Sequence, residues 1–227
     1  MQRENIIRQI KTAEEKYKVN DYKGNSRTPC VVEKYGNVPI LLSAPHSVKQ
    51  IRGGVVKAHE FYTGAIVECL AKEIGCSCIT KQYLLENLHN DDPNTDEAFC
   101  SYKTAVNQFI KEHKIKLFVD IHGLSGKRDS VVDICIDGGK NVNTMHGVRQ
   151  LQKMVNDKFG NDKASLDKYF QAFSENIMSK WAHTSFNISA IELEINGGYR
   201  WFKGETEKQS LELFCLLSNW LKNIELS

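Results

Sequence analysis

Residues 116–123 read Lys-Leu-Phe-Val-Asp-Ile-His-Gly. The unbroken apolar run of Leu117, Phe118 and Val119, resumed at Ile121, marks a strand buried on both faces, as in parallel sheets covered by crossover helices. Such a strand is a poor place for Asp120 and His122 unless something compensates for taking a carboxylate and an imidazole out of water. His122, at the strand's end, is placed to bind a metal. Asp120 could orient a ligand or accept hydrogen bonds from nearby backbone. Taken alone, these residues fit a hydrogen-bonded turn histidine equally well.

Working outward, strands and helices alternate. Residues 3–18 predict a helix. CVVEKY (30–35) and VPILLSA (38–44), separated by a Gly-Asn turn at 36–37, predict a hairpin. A helix is expected from about Glu60 to Ile74, with Ile66, Val67, Leu70, Ala71 and Ile74 on one stripe; Gly75 stops it, and CSCIT follows as a strand. The polar segment 86–98, with Pro93 inside it, is a loop, and 101–113 returns to helix. Beyond the central strand come a strand over 131–136 closed by Asp-Gly-Gly and a helix over 143–159. Residues 160–183 are ambiguous with some helix, a strand spans 188–195, and a last amphipathic helix spans 205–224. This order implies a three-layer α/β/α sandwich around a mixed, largely parallel sheet, as one domain over 1–227.

Composition narrows the class. With 41% hydrophobic and 26% charged residues the chain is globular, and a net charge of +2 gives no reason to expect nucleic acid or a membrane surface as partner. The segment MQRENIIRQIKTAEEKYK has no apolar signal core, and no apolar run approaches the ~20 residues of a membrane span, so an intracellular, cytoplasmic location is expected. The seven cysteines show no secreted framework; Cys76 and Cys78, a C-x-C without a second pair, read as small apolar strand residues. There is no G-x-S-x-G, and no cysteine has a nearby histidine, so neither a serine nor a thiol nucleophile is indicated.

Sites in α/β sheets gather where strands end. A second buried strand delivers His46 through Ser43-Ala44-Pro45, and two strand-end histidines suggest zinc, which takes imidazoles plus a carboxylate around an open position. That carboxylate could be Glu60, Asp91, Asp92 or Asp120; Glu60, opening a helix, also suits the helix dipole. Alternation in Ile191–Gly198 puts Glu192 and Glu194 on one face and the aliphatics on the other. On a solvent face these glutamates mean nothing; at a cleft one of them is a general base.

The runs SAPHSVKQIRGGVVKAHEFYTGAI (43–66), DPNTD (92–96) followed by SYK (101–103), FVDIHG (118–123) and LEIN (193–196) resemble, in this order, the N-formylglutamate amidohydrolase group within the zinc carboxypeptidase-like hydrolases. The resemblance implies that His46, Glu60 and His122 bind Zn2+ and that Glu194 is the general base and proton shuttle. It also places Asp92 and Asn94 in the pocket, where they position substrate or support a ligand, and gives Arg128 the substrate carboxylate or the oxyanion. Thr95 stands where that group usually carries a basic residue, and Asn196 is followed by Gly-Gly-Tyr before Arg200, which displaces this further substrate-binding candidate. The implied function is zinc-dependent hydrolysis of an amide bond in a small carboxylate-bearing substrate, such as an N-acyl or N-formyl amino acid or a peptide-like compound. A metal- or ligand-binding module without turnover is the alternative.

Overall fold

The computed structural model describes residues 2–29, 31–94 and 101–226; Thr95 lies outside them. In chain order the elements are α1 (Gln2–Glu15), a helical turn α2 (Val19–Tyr22), β1 (Val31–Lys34), β2 (Val38–Ala44), β3 (Gln50–Arg52), β4 (Val55–Lys57), α3 (Thr63–Ile74), β5 (Cys76–Lys81) and α4 (Ser101–Glu112). Then come β6 (Leu117–Leu124), β7 (Val132–Cys135), α5 (His146–Phe159), β8 (Ala164–Leu166), α6 (Met178–Phe186), β9 (Ser189–Asn196) and α7 (Glu207–Asn223). Seven strands form one sheet in the order β1-β5-β2-β6-β9-β7-β8. Its centre, β5-β2-β6-β9, is parallel throughout; β1 and β7 run antiparallel to their inner neighbours.

The expected hairpin of the first two strands does not form. β2 pairs with β5 and β6, both parallel, and β1 instead lies antiparallel along the outer side of β5. The link between them passes under the start of β5: Val38 N donates to Gly75 O at 3.1 Å, and a Cβ at Gly36 would stand 2.4 Å from Cys76 O. Glycine at 36 therefore serves a close backbone crossing rather than a two-residue turn. The apolar VPILLSA needs cover on both edges and both faces, which a peripheral hairpin cannot supply.

Alternation divides the sheet's two faces. Ile40, Leu42, Ala44, Leu117, Val119, Ile121, Ile191, Leu193 and Ile195 face a large core shared with α1, α3, α5 and α7. On the other face Leu41, Phe118 and Ala190 pack beneath Tyr102, Val106 and Phe109 of α4 and Met178 and Ala182 of α6. Following that second face toward the strand ends, the side chains become polar: Ser43, Asp120 and Glu192 lie side by side in register, and one step further His122 lies beside Glu194. These glutamates are thus on an interior face, with Glu192 4% and Glu194 6% exposed. Among the described residues no helix is long and apolar enough to cross a membrane.

A buried ion pair pins the loop that approaches these strand ends. Lys81, at the end of β5, donates to the Asp91 carboxylate at 2.6 Å and to its carbonyl at 2.9 Å, and Asp91 also accepts from Ile51 N and Leu85 N. Both side chains are wholly inaccessible. Replacing Lys81 with Met leaves the carboxylate buried without its counter-ion, and loss of one partner of such a pair costs about 3–5 kcal/mol. Urea denaturation of Lys81→Met should show that loss; a change within 0.5 kcal/mol, about the size of a surface substitution, would contradict it.

Candidate metal centre

Three side chains meet at the carboxyl ends of β2 and β6. His46 follows β2 by two residues and His122 lies within the last turn of β6 backbone, which carries Gly123 and Leu124 after it. Glu60 does not open a helix as expected: α3 begins at Thr63, and Glu60 sits in the preceding loop, its N–H bonded to His46 O at 2.9 Å. Its carbonyl accepts from the Thr63 hydroxyl at 2.8 Å, so the carboxylate is left to face the strand ends.

Glu60 Oε1 lies 3.0 Å from His46 Nδ1, and Oε2 lies 3.5 Å from His122 Nδ1 while accepting from Gly123 N at 2.9 Å. The two Nδ1 atoms are 3.1 Å apart. Each outer nitrogen is tied to a separate carboxylate: His46 Nε2 to Asp92 at 3.1 Å and His122 Nε2 to Asp120 at 2.9 Å. A carboxylate can only accept, so both Nε2 atoms donate, and both Nδ1 lone pairs turn inward beside Glu60. Two lone pairs and a carboxylate aimed at one point require positive charge between them, either protons or a cation. The donor set fits zinc: two imidazoles with carboxylate second partners and one carboxylate ligand, all able to reach a common point.

Protonation follows the same logic. Burial opposes the His46 imidazolium, but Glu60 and Asp92 outweigh it and push its pKa up to about 9. Burial is likewise overcome at His122, whose pKa is raised by Asp120 and Glu60. Glu60, part-buried, and Asp92, buried, are held below the usual carboxylate range, the first by both histidines and the second by His46 and Arg52. Glu194 and Glu192 behave oppositely. Burial pushes Glu194 up to about 8 and Glu192 up to about 7, with His122 only partly offsetting it. Glu194 Oε2 is buried with no hydrogen-bond partner among the described residues, directly across from His122. Glu192 lies beside Asp120, one row deeper.

The remaining candidates spread out. Asp92 stands behind His46, held by the Arg52 guanidinium and by Asn94 N at 2.9 Å. Asn94 accepts from Met178 N at 2.9 Å, which fastens the loop to the first turn of α6. Arg200 is buried behind Gly123 and donates to Ile195 O at 3.0 Å and Phe61 O at 2.6 Å. Arg128 is exposed, its guanidinium 4.9 Å above the Tyr169 ring. Sequence reasoning assigned no role to Ser43 or Tyr102, although both stand in the runs that carry the resemblance, Ser43 opening 43–66 and Tyr102 within SYK.

No protein-family model and no curated protein matches this sequence. Solved structures do match in fold. A gene product of Agrobacterium tumefaciens superposes with a TM-score of 0.60 at 12% identity, over 88% of this chain and 96% of that one. A bacteriophage poly-gamma-glutamate hydrolase gives 0.53 at 15% identity, over 85% of each chain. A metallo-carboxypeptidase from Burkholderia cenocepacia gives 0.50 at 12%, over 85% of this chain and 59% of that longer one. The chain shares the fold of these structures, a largely parallel central sheet with helices on both faces.

The shifted groups set a pH dependence. Glu192 at about 7 and Glu194 at about 8 lie above their ordinary 4.5, and His46 at about 9 lies above 6.5, so the folded chain keeps protons that the unfolded chain releases. Their contribution to stability is present at low pH and lost as pH rises, through roughly 4.5–8 for the glutamates and 6.5–9 for His46. Glu60 and Asp92, with depressed values, contribute above the unfolded carboxylate pKa and lose that contribution below it. In chelator, urea stability should peak near pH ~5–6 and decline toward pH ~9, and Glu194→Gln should flatten part of the decline. Stability rising from pH 6 to 9 in chelator would refute these protonation states.

Proposed function

We propose that this chain is a zinc-dependent amide hydrolase for small carboxylate-bearing substrates, of the N-formylglutamate amidohydrolase kind. One observation carries the proposal: His46 Nδ1, His122 Nδ1 and the Glu60 carboxylate converge, each outer imidazole nitrogen is fixed by its own carboxylate, and a buried glutamate with one oxygen unpartnered among the described residues stands alongside. The fold shared with a poly-gamma-glutamate hydrolase and a metallo-carboxypeptidase supports amide chemistry beside carboxylates.

His46, Glu60 and His122 would hold a zinc ion, which would supply Lewis acidity for a substrate carbonyl and for water. The protein does the rest. Glu194 takes the proton of the attacking water and returns it to the leaving amine, a task suited to a carboxyl whose pKa burial has raised toward neutrality. Asp92 and Asn94 support His46 and its loop. Arg200 braces Phe61, next to Glu60, against Ile195, next to Glu194, and so fixes the spacing of the two carboxylates. Arg128, exposed after the end of β6, is assigned the substrate carboxylate on the resemblance.

Elemental analysis of the purified protein should find one zinc per chain. His46→Ala and His122→Ala should lose it while remaining folded; full retention in both would remove the ligand assignment. Against a panel of N-formyl, N-acyl and γ-glutamyl amino acids, Glu194→Gln should keep zinc and lose kcat by about 10²–10⁴-fold. Wild-type turnover in Glu194→Gln would displace it as the base, and zinc-loaded protein inert toward the whole panel would favour the binding-module alternative.

A further inference from the structure

Behind His122 runs a line of buried hydroxyls. Asp120 Oδ2 accepts from His122 Nε2 at 2.9 Å, and Asp120 Oδ1 accepts from Ser43 Oγ at 2.5 Å. Ser43 Oγ is in turn 2.8 Å from the Tyr102 hydroxyl, which accepts from Ala44 N at 3.0 Å and lies 2.9 Å from Ile79 O. Ser43, Tyr102 and Asp120 are all fully buried.

Counting hydrogens fixes the direction of the line. Ser43 has one hydroxyl hydrogen, and Asp120 can only accept, so that hydrogen goes to Asp120, while the single Tyr102 hydrogen is shared between Ile79 O and the serine lone pair. Each of the carboxylate's oxygens therefore has a donor. The tyrosine is fixed from three sides, by the ends of β2 and β5 and by its own helix α4. The opposite histidine is backed differently: Asp92 meets the Arg52 guanidinium, half exposed to solvent. Among the described residues no lysine or arginine pairs with Asp120, so its charge and its aim depend on hydroxyl donors and His122.

We infer that Ser43 and Tyr102 are positioning residues of the metal centre, acting through Asp120 to hold the His122 Nδ1 lone pair on the point shared with His46 and Glu60. Apolar residues of similar size would fill the same space under α4, as Leu41 and Phe118 do one row deeper. The hydroxyls add an orientation that packing does not require. The inference rests on the zinc reading proposed above, and it concerns metal affinity rather than turnover.

Zinc affinity, measured by chelator competition, and melting of the chelator-treated protein test it together. Removing a partner that orients a ligand typically weakens metal binding about 10–100-fold. Ser43→Ala should show that loss while its metal-free melting stays close to wild type, and Ser43→Thr, which keeps the hydroxyl, should retain most of the affinity. Tyr102→Phe should lose less, and because Tyr102 acts through Ser43, the double variant should bind no more weakly than Ser43→Ala alone. Wild-type affinity in Ser43→Ala, or losses that simply add in the double variant, would overturn the inference while leaving the zinc site standing. Were Ser43→Ala to misfold, Ser43→Cys, nearly the same size but a weak donor, is read by the same criteria. A wild-type protein that takes no zinc at all would bring down the site reading and this inference together.

Discussion

Charge buried at the carboxyl ends of β2, β6 and β9 is the constraint around which this molecule is arranged. On the face under α4 and α6, Leu41, Phe118 and Ala190 give way to Ser43, Asp120 and Glu192, and then to His122 and Glu194. Taking that many ionisable groups out of water is costly unless each finds a partner, and the effective penalty is several kcal/mol per unpaired ion. The neighbouring elements supply those partners. The loop before α3 brings Glu60, the loop after β5 brings Asp92, and α4 brings the Tyr102 hydroxyl. Lys81 and Asp91 then hold the second of these loops from within the core.

The partnering is deliberately incomplete at one place. His46 and His122 have their outer nitrogens satisfied and their inner ones facing each other, while one Glu194 oxygen has no partner among the described residues. Unsatisfied buried polar atoms are uncommon in folded proteins, and this one lies beside the converging His46, Glu60 and His122. The opposed pKa shifts express the same arrangement: Glu60 is depressed because imidazoles face it, whereas Glu194 is raised because burial dominates. Two carboxylates in one cleft are thereby separated into a group suited to binding a cation and a group suited to carrying a proton.

The two histidines are not equivalent. Asp92 is charge-compensated by Arg52, on a hairpin that turns at Gly53 and Gly54 and exposes Val55 and Val56. Asp120 is enclosed by the sheet and α4 and is met by a hydroxyl. Both histidines are buried, but the chain of partners behind His46 reaches solvent at Arg52, whereas that behind His122 ends inside the sheet and α4. His122 lies on the central strand, and His46 and Glu60 lie on adjoining loops.

Much of this was legible in the chain itself. Apolar runs at 117–121 and 38–44 announced buried strands, and polar residues inside them marked the site, because a buried strand tolerates aspartate, histidine or glutamate only with compensation. Period-two alternation put Glu192 and Glu194 on one face, as found. What alternation cannot tell is which face is interior; only β6 on one side and β7 on the other, with α6 above, made it so. Nor could local pattern show that the first strand would cross under β5 rather than fold back on β2, since turn residues at 36–37 suit both and the choice depends on which strand β2 needs at its edge. The partnerships of Arg52 with Asp92 and of Tyr102 with Ser43 could not be read, because these residues look ordinary until the fold brings together positions 40 and 59 residues apart in sequence. Side-chain chemistry and its period are local properties and can be read along the chain; partnership across strands is decided by packing, and only the folded structure contains it.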